Sequence, residues 1–261
     1  MTLFTRFSDG RPLTVPALLL TLLTALLSGC GLDKTSPEPT FGGPELYPLE
    51  VGTYRIYAVQ DTTWQVRRPT ASSFQFREVV TEAFNNAEST PQRPARSYRV
   101  VRARRPNASQ PWVEDSVFVL TPLPNALLLS RSNVRTIELL FPVRAGRRWN
   151  RFAFDVRELG SGSGQPDSLN REYRRPGEPL SLTLPGGLSR RYEQTVRTYD
   201  NDEDDAYYLA TQEQVYAPGE GLVLRRRRRF FFTDGNGASL PETGVYSGFS
   251  RREMLLERGR L

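Results

Sequence analysis

The sequence predicts a mainly β protein: a single antiparallel, strongly curved sheet or an open or half barrel, preceded by an N-terminal signal helix and a flexible tether. Three observations predict this class. About ten short segments after residue 47 are rich in β-branched and aromatic residues and alternate in polarity. Turn residues separate them, within a total of 20 Gly and 20 Pro. No sustained helical periodicity follows residue 30.

The first thirty residues have the pattern of an export signal. Arg6 and Arg11 give the opening stretch a positive charge, and residues 17–27 form an apolar run that only two threonines interrupt. Because a helix rises about 1.5 Å per residue, this run is too short to cross a bilayer core of about 30 Å. It therefore predicts the apolar segment of a signal peptide rather than a permanent membrane span.

The apolar run ends in Leu27-Ser28-Gly29-Cys30, which contains the single cysteine of the chain. This tetrapeptide resembles the lipobox of bacterial lipoproteins. The resemblance implies that the thiol of Cys30 carries the lipid, that the peptide is cut between Gly29 and Cys30, and that the new amino terminus is acylated. It also implies export to the outer membrane, because Gly31 stands where Asp would favour retention in the inner membrane. The alternative is a buried core helix that ends in Cys.

Several acyl chains on one residue make a stable anchor. We therefore expect the protein to be bound to a membrane through the acyl chains on Cys30. Residues 31–44 are rich in Gly, Pro, Ser and Thr, which predicts a flexible tether. We therefore expect three parts: a lipoprotein signal peptide (1–29), the lipidated Cys and tether (30–44), and an antiparallel β domain (45–261).

The predicted strands follow one another along the β domain. They are 52–65, 98–103, 116–121, 126–130, a strand that ends at Pro142 with 135, 137, 139 and 141 on one face, then 152–157, 180–184, 192–199, 207–216 and 222–232. Residues 234–237 (Asp-Gly-Asn-Gly) predict a hairpin turn after the last of these. Residues 74–84 fit both a helix and a strand, and their Val-Val-Thr run favours the strand.

Three phrases, at 47–52, 141–146 and 216–223, combine an aromatic residue, Pro and Gly. Proline interrupts a strand ladder and glycine permits a reversal, so we interpret them as sheet corners rather than ligand loops. The three phrases resemble those of a large group of uncharacterised bacterial lipoproteins with an extended β-sheet. The last phrase is also similar to that of envelope proteins that fold as a clam-shaped half barrel. The resemblance implies a fold and a compartment, and no activity. The pair Tyr54-Arg55 departs from it, since an aromatic pair with Trp is more usual there.

Three further stretches are candidates for metal-binding, catalytic or anion-binding sites. Residues 200–205 alternate acidic and amide side chains, but Asp205 and Thr211 stand where a calcium loop needs Gly and Glu, so a solvated hairpin tip is predicted. Residues 160–164 lack the central serine of a nucleophile elbow and predict a flexible loop. Residues 225–229 are five consecutive arginines. We expect an exposed strand end that pairs with acids, with an anion or lipid-headgroup contact as the alternative.

Composition narrows the function. The chain has no His, which removes the commonest general base and the commonest ligand of transition metals, and no cofactor or metal motif is recognised. The net charge is +6, but its 35 basic residues, all Arg except Lys34, are interleaved with 29 acidic ones. Nucleic acid is therefore not an expected partner.

We accordingly predict a non-catalytic outer-membrane lipoprotein that acts as a binding or scaffolding module, with an apolar ligand or lipid on the concave face of the sheet. One alternative is a structural or assembly partner in an envelope complex. Another is a His-free hydrolase that uses two carboxylates about 5 to 9.5 Å apart. Apart from Cys30 and Gly29, the sequence identifies no site residue.

Overall fold

The computed structural model describes residues 41–86, 96–154, 170–204, 207–232 and 244–261. They form one short 3-10 helix, Pro44–Leu46, and fourteen strands. The strands are β1 (Thr53–Gln65), β2 (Arg68–Asn85), β3 (Arg96–Arg105), β4 (Val113–Leu123), β5 (Ala126–Arg131), β6 (Val134–Leu140), β7 (Arg148–Trp149), β8 (Arg171–Arg174), β9 (Leu180–Thr183), β10 (Ser189–Tyr192), β11 (Val196–Asp204), β12 (Tyr208–Ala217), β13 (Gly221–Phe231) and β14 (Ser247–Arg260). The predicted mainly β, antiparallel fold class is confirmed.

Twelve strands form one sheet, in the order β6-β5-β4-β3-β2-β1-β14-β13-β12-β11-β8-β7, while β9 and β10 pair separately. In the centre, β1 and β14 pair antiparallel, from Thr53 opposite Arg260 to Trp64 opposite Gly248. Each side of this pair is a meander of antiparallel neighbours. The first and last strands therefore lie side by side, and the two edges of the sheet come from the middle of the sequence.

Most of the predicted strands are present, and residues 74–84 lie in β2 and not in a helix. Residues 152–154, predicted as the start of a strand, form a turn, because the chain leaves the ladder after the two-residue β7. The predicted strand 192–199 is interrupted at 193–195, between β10 and β11. The central strand β14 was not predicted. Its run of Arg, Arg and Glu hides the alternation, and only tertiary pairing accommodates those charges inside a sheet.

The sheet curls until its edge strands touch. The Ile137 amide of β6 donates a hydrogen bond of 2.9 Å to the carbonyl oxygen of Arg151, just after β7. The Tyr173 hydroxyl of β8 bonds at 2.8 Å to both the amide and the carbonyl of Leu140, and the Trp149 indole N–H donates to the Ile137 carbonyl at 3.1 Å. We call these contacts the seam. In the part of the chain that the structure describes, the strand ladder itself does not close into a barrel.

The aromatic-Pro-Gly phrases lie at turns, as predicted for corners. Arg55, which departs from the usual aromatic pair, is buried and joins two of these corners: its Nη2 donates to the Pro48 carbonyl at 2.7 Å and its Nε to the Glu220 carbonyl at 2.9 Å. Gly221 packs against this guanidinium with φ of +91°, and a Cβ there would lie 2.9 Å from Nε. Both the backbone conformation and the space at Gly221 therefore require glycine.

The packed fold includes Phe41, a buried residue within the stretch expected as tether. Residues 1–40, with Gly29 and Cys30, lie outside the described residues, as do the predicted 160–164 loop, the 234–237 turn and residues 155–157. The signal peptide, the lipidation and the division at 29 and 44 stay predictions. Among the described residues, no helix has the length and apolarity to cross a bilayer.

Candidate functional site

The concave interior holds a cavity of about 350 Å³ beneath β4 to β6 on one side and β12 to β13 on the other. Its lining is mainly charged and polar: Arg102, Phe118, Leu129, Arg131, Ser132, Val134, Thr136, Glu138, Arg151, Phe152, Gln212, Gln214, Arg225 and Arg227. The lining is more polar than expected for an apolar ligand or lipid. The reason is that the inward positions of β12 and β13 here carry Gln and Arg instead of apolar residues. The binding of an apolar ligand or lipid stays a prediction.

Two clusters of buried charges surround the cavity. The first, the central cluster, consists of Glu78, Arg102, Arg225 and Glu253. The strand register places Glu78 opposite Arg102 and Arg225 opposite Glu253. Arg102 ion-pairs with Glu78, and Arg225 Nη1 lies 2.7 Å from Glu253 Oε2. Arg102 Nη2 also lies 3.7 Å from Glu253 Oε2, which links the two pairs across the centre of the sheet.

The central cluster keeps its acids ionised. Burial would raise the pKa of Glu78, but the charges of Arg102 and Arg225 outweigh it and hold that pKa below its usual value. In the same way burial is outweighed at Glu253, where Arg225 and Arg102 lower the pKa to about 2. Carboxylates of this kind are poor proton donors near neutral pH.

The second group, the seam cluster, consists of Glu138, Arg151, Arg171 and Asp200. Arg171 stands opposite Asp200 in the β8–β11 ladder and binds both of its carboxylate oxygens, with Nη2 to Oδ2 at 2.8 Å. Its Nη1 lies 3.0 Å from Glu138 Oε2, on the other edge of the sheet. Arg151 Nη1 lies 3.0 Å from Asp200 Oδ2, and its Nη2 lies 3.6 Å from Glu138 Oε1. The seam cluster therefore bridges strands that are not neighbours in the ladder.

A β-bulge brings Glu138 into this cluster. The β5–β6 register changes between Leu127 opposite Leu139 and Leu128 opposite Ile137, which leaves Glu138 as the extra residue. Thr136 Oγ1 donates to Glu138 Oε1 at 2.8 Å. Burial would raise the pKa of Glu138, but Arg171 and Arg151 outweigh it and hold this pKa well below its usual range.

Two lining arginines differ from those in the clusters. Arg131 and Arg227 are half-buried, and within the described chain neither forms an ion pair. The Nε atoms of Arg131, Arg151, Arg225 and Arg227 and the amide nitrogen of Gln212 are buried without a hydrogen-bond partner in that part of the chain. All five atoms are donors, and all five residues line the cavity. These donors are unsatisfied within the described chain, and the side chains that carry them border a cavity rich in guanidinium and amide groups.

The structure corrects two interpretations of the charged stretches. The arginine tract is exposed at Arg228 and Arg229, as expected, but Arg225 is buried because Glu253 stands opposite it. Asp200, expected at a solvated hairpin tip, is a buried residue within β11. A signal for the buried charges does exist in the sequence: Glu78, for example, continues the inward face of Phe74 and Phe76. The partner of each charge is set by tertiary pairing and cannot be predicted from that alternation.

The remaining predicted site residues belong to the lipidation site. Cys30 and Gly29 lie outside the described residues. Within the described ranges, no three carboxylate or thiol side chains converge as metal ligands.

No protein-family model and no curated protein matches the sequence. Two bacterial proteins are among the solved structures that are similar to the chain. One, from Bacteroides fragilis, is assigned as an exported protein with a YmcC-like fold; it has a TM-score of 0.40 and 10% identity, over 82% of this chain and 99% of that chain. The other, from Parabacteroides distasonis, is assigned as a lipoprotein; it has a TM-score of 0.38 and 12% identity, over 82% of this chain and 98% of that chain.

Proposed function

We propose that the protein is a lipid-anchored, non-catalytic lipoprotein of the bacterial outer membrane that binds a polar, acceptor-rich ligand in the cavity of its curled sheet. One observation carries the proposal: a cavity of about 350 Å³ is lined mainly by polar and charged side chains, and two of its arginines, Arg131 and Arg227, have no carboxylate partner in the described chain. A buried or half-buried cation without an acid weakens a fold, so two such arginines beside one cavity support a site adapted to a ligand.

The charge clusters support binding rather than hydrolysis. A carboxyl group that protonates a leaving group needs a raised pKa. Here Glu78, Glu138 and Glu253 all have lowered pKa values, because arginines outweigh the effect of burial. Asp200 is bound by two arginines. With no His in the chain, no buried group of the clusters combines a cavity position with the protonation state that a general acid requires.

A cavity-filling substitution tests the binding site. The full chain in detergent is screened against polar small molecules by thermal denaturation. We expect at least one compound to raise the melting temperature of the wild type but not that of Val134→Trp, because Val134 lines the cavity. Val113→Trp is the matched control, since Val113 is 65% exposed and does not line the cavity. Equal stabilisation of wild type and Val134→Trp by every active compound, or no active compound, would contradict the proposal.

The anchor is tested at Cys30. Cys30→Ser is expected to abolish lipid labelling and signal cleavage, because Ser offers no thiol for acylation. Fractionation of labelled cells measures both. A processed, membrane-bound Cys30→Ser protein would contradict the lipidation and leave the ligand-binding proposal unaffected.

A second candidate function, assembly with another envelope protein, is favoured by the aromatic end of the sheet. At the β13 end opposite the corners, Trp64 packs on Phe230 with ring centroids 5.1 Å apart and Tyr208 on Phe231 at 4.8 Å. Phe231 is 43% exposed. Exposed aromatic groups of this kind are common at protein interfaces. Crosslinking in cells through a photoreactive residue at 231 tests this candidate, and a single reproducible protein partner is the expected result.

A further inference from the structure

The arginines around the cavity outnumber the acids that they contact. Arg102, Arg151, Arg171 and Arg225 are each ion-paired with an acid of the two clusters. Arg131 and Arg227 add two positive charges that no carboxylate of the described chain pairs with. The one lining acid, Glu138, is already bound by Arg171 and Arg151. The interior therefore keeps a positive potential at the cavity.

Arg131 is held in place but not neutralised. Its Nη2 donates to the Ser116 hydroxyl at 3.0 Å, and its guanidinium lies 4.9 Å from the Phe118 ring centroid. Its Nε is buried without a hydrogen-bond partner. Burial, followed by repulsion from Arg102 and Arg225, lowers the pKa of Arg131. A positioned guanidinium without a carboxylate partner is a standard arrangement for binding carboxylates and phosphates.

Arg227 has no ion-pair partner in the described chain, and the attraction of Glu253 is outweighed by burial and by the neighbouring arginines. In the ladder it stands between Gln212 of β12 and Arg251 of β14, and Arg251 is already paired with Asp61. Burial, followed by repulsion from Arg225, lowers the pKa of Arg227 to about 9. The group is still cationic at neutral pH, and its environment favours an added negative charge.

The volume indicates the size of ligand that fits. A cavity of about 350 Å³ lies within the range of about 300–1,000 Å³ that is usual for small-molecule sites. A bare phosphate ion would leave most of it filled with water, whereas a small organic molecule would also contact the apolar part of the lining at Phe118, Leu129 and Phe152.

We infer that the ligand is a small organic anion, a carboxylate or a phosphate monoester, and that Arg131 and Arg227 bind its acidic groups. This inference rests on the proposed function, since it concerns the same cavity. The remaining arginines serve the fold, because each has an acid to neutralise it, while these two are available to a ligand.

The test is isothermal titration calorimetry of the full chain in detergent with citrate, glycerol 3-phosphate, inorganic phosphate and uncharged glycerol. We expect at least one organic anion to bind, and glycerol to bind at least about tenfold more weakly. Arg131→Gln and Arg227→Gln are each expected to weaken binding about tenfold. Arg228→Gln is the matched control: it is exposed, adjacent in sequence and on the opposite face of the strand, and should leave affinity unchanged.

A second readout separates a ligand residue from a structural one. Because Arg131 and Arg227 repel the neighbouring arginines, their replacement by Gln should leave the melting temperature equal to or above that of the wild type. A lowered melting temperature for both variants would show that these arginines serve the fold and overturn the inference.

The remaining outcomes distinguish the inference from the proposed function. Unchanged affinity of an organic anion in both variants, glycerol binding as tightly as the anions, or inorganic phosphate binding as tightly as both organic anions would each overturn the inference while the cavity still bound a ligand. No binding by any probe would also overturn it. Binding that Val134→Trp leaves intact would place the ligand elsewhere and overturn the proposed function itself.

Discussion

The central cluster and the seam cluster use the same chemistry in different places. In the central cluster, each arginine faces an acid on the strand beside it, so the ion pairs reinforce a ladder that backbone hydrogen bonds already hold. In the seam cluster, Arg171 of β8 reaches Glu138 of β6, and no strand ladder connects these two strands in the described chain. The difference teaches that one set of ion pairs supports the strand register, while the other maintains the curl of the sheet around the cavity.

The comparison also separates paired from unpaired arginines. A buried ion pair adds little net stability, but removing one partner is strongly destabilising because a buried charge is left behind. Arg131 and Arg227 are cationic without such a partner in the described chain. The paired arginines are therefore expected to be required for folding, and the unpaired ones for binding.

The largest expected effect is at Arg171. Arg171→Met leaves Asp200 and Glu138 buried without their main partner, and should lower the free energy of unfolding by about 3–5 kcal/mol. Arg225→Met should lower it by roughly half as much, because it leaves one acid, Glu253, rather than two without its main partner. Urea denaturation followed by tryptophan fluorescence measures both. Equal losses of unfolding free energy in the two variants would show that the seam cluster contributes no more to stability than the central cluster.

Acid should weaken both clusters. The folded-state pKa of Glu253 is about 2 and its ordinary value is 4.5, so the stabilisation it gives is present above 4.5 and is lost as the pH falls towards 2. Over that range we expect a loss of about 3 kcal/mol from this residue. Glu78 and Glu138 act in the same direction. Urea midpoints at pH 7, 4.5, 3 and 2 test this, and a midpoint that is constant below pH 4.5 would contradict the ion pairing.

A smaller effect is expected from one hydroxyl of the seam. Tyr173→Phe removes the group that bonds to both backbone atoms of Leu140, and should lower the free energy of unfolding by about 1–3 kcal/mol. Tyr57→Phe is the matched control, because the Tyr57 hydroxyl is buried without a hydrogen-bond partner in the described chain. The control should be neutral or slightly stabilising. If the two variants lost the same stability, the seam bonds would not explain the effect.

The smallest effect is expected at the surface. Arg99 pairs with Glu82 at 3.3 Å, and both side chains are more than half exposed. Arg99→Met should therefore change the free energy of unfolding by about 0.5 kcal/mol or less. A loss comparable to that of Arg225→Met would show that burial does not separate structural from incidental ion pairs in this sheet.

Local chemistry in the sequence determined most of the strands and their corners. Strands β1, β3 and β12 follow from a period of two in polarity, because one face is buried. Residues 74–84 were ambiguous between helix and strand, and their β-branched residues indicated the strand that is present. The corners were predictable because Pro and Gly restrict the backbone whatever surrounds them. At Gly221, for example, a positive φ coincides with close packing on Arg55.

Tertiary structure alone decided the centre, the edges and the chemistry of the cavity. Strand β14 is central although its charged run hides the alternation, because Arg251 and Glu253 find acids and arginines on the strands beside them. The seam depends on the total curvature of twelve strands, and this curvature cannot be predicted from the sequence of any one strand. Whether Arg225 is buried and neutralised, or Arg227 is left cationic, depends on which residue stands opposite in the ladder. The sequence determines which side chains are ionisable. Their pKa values and interaction energies depend on burial and on neighbouring charges, which only the folded sheet supplies.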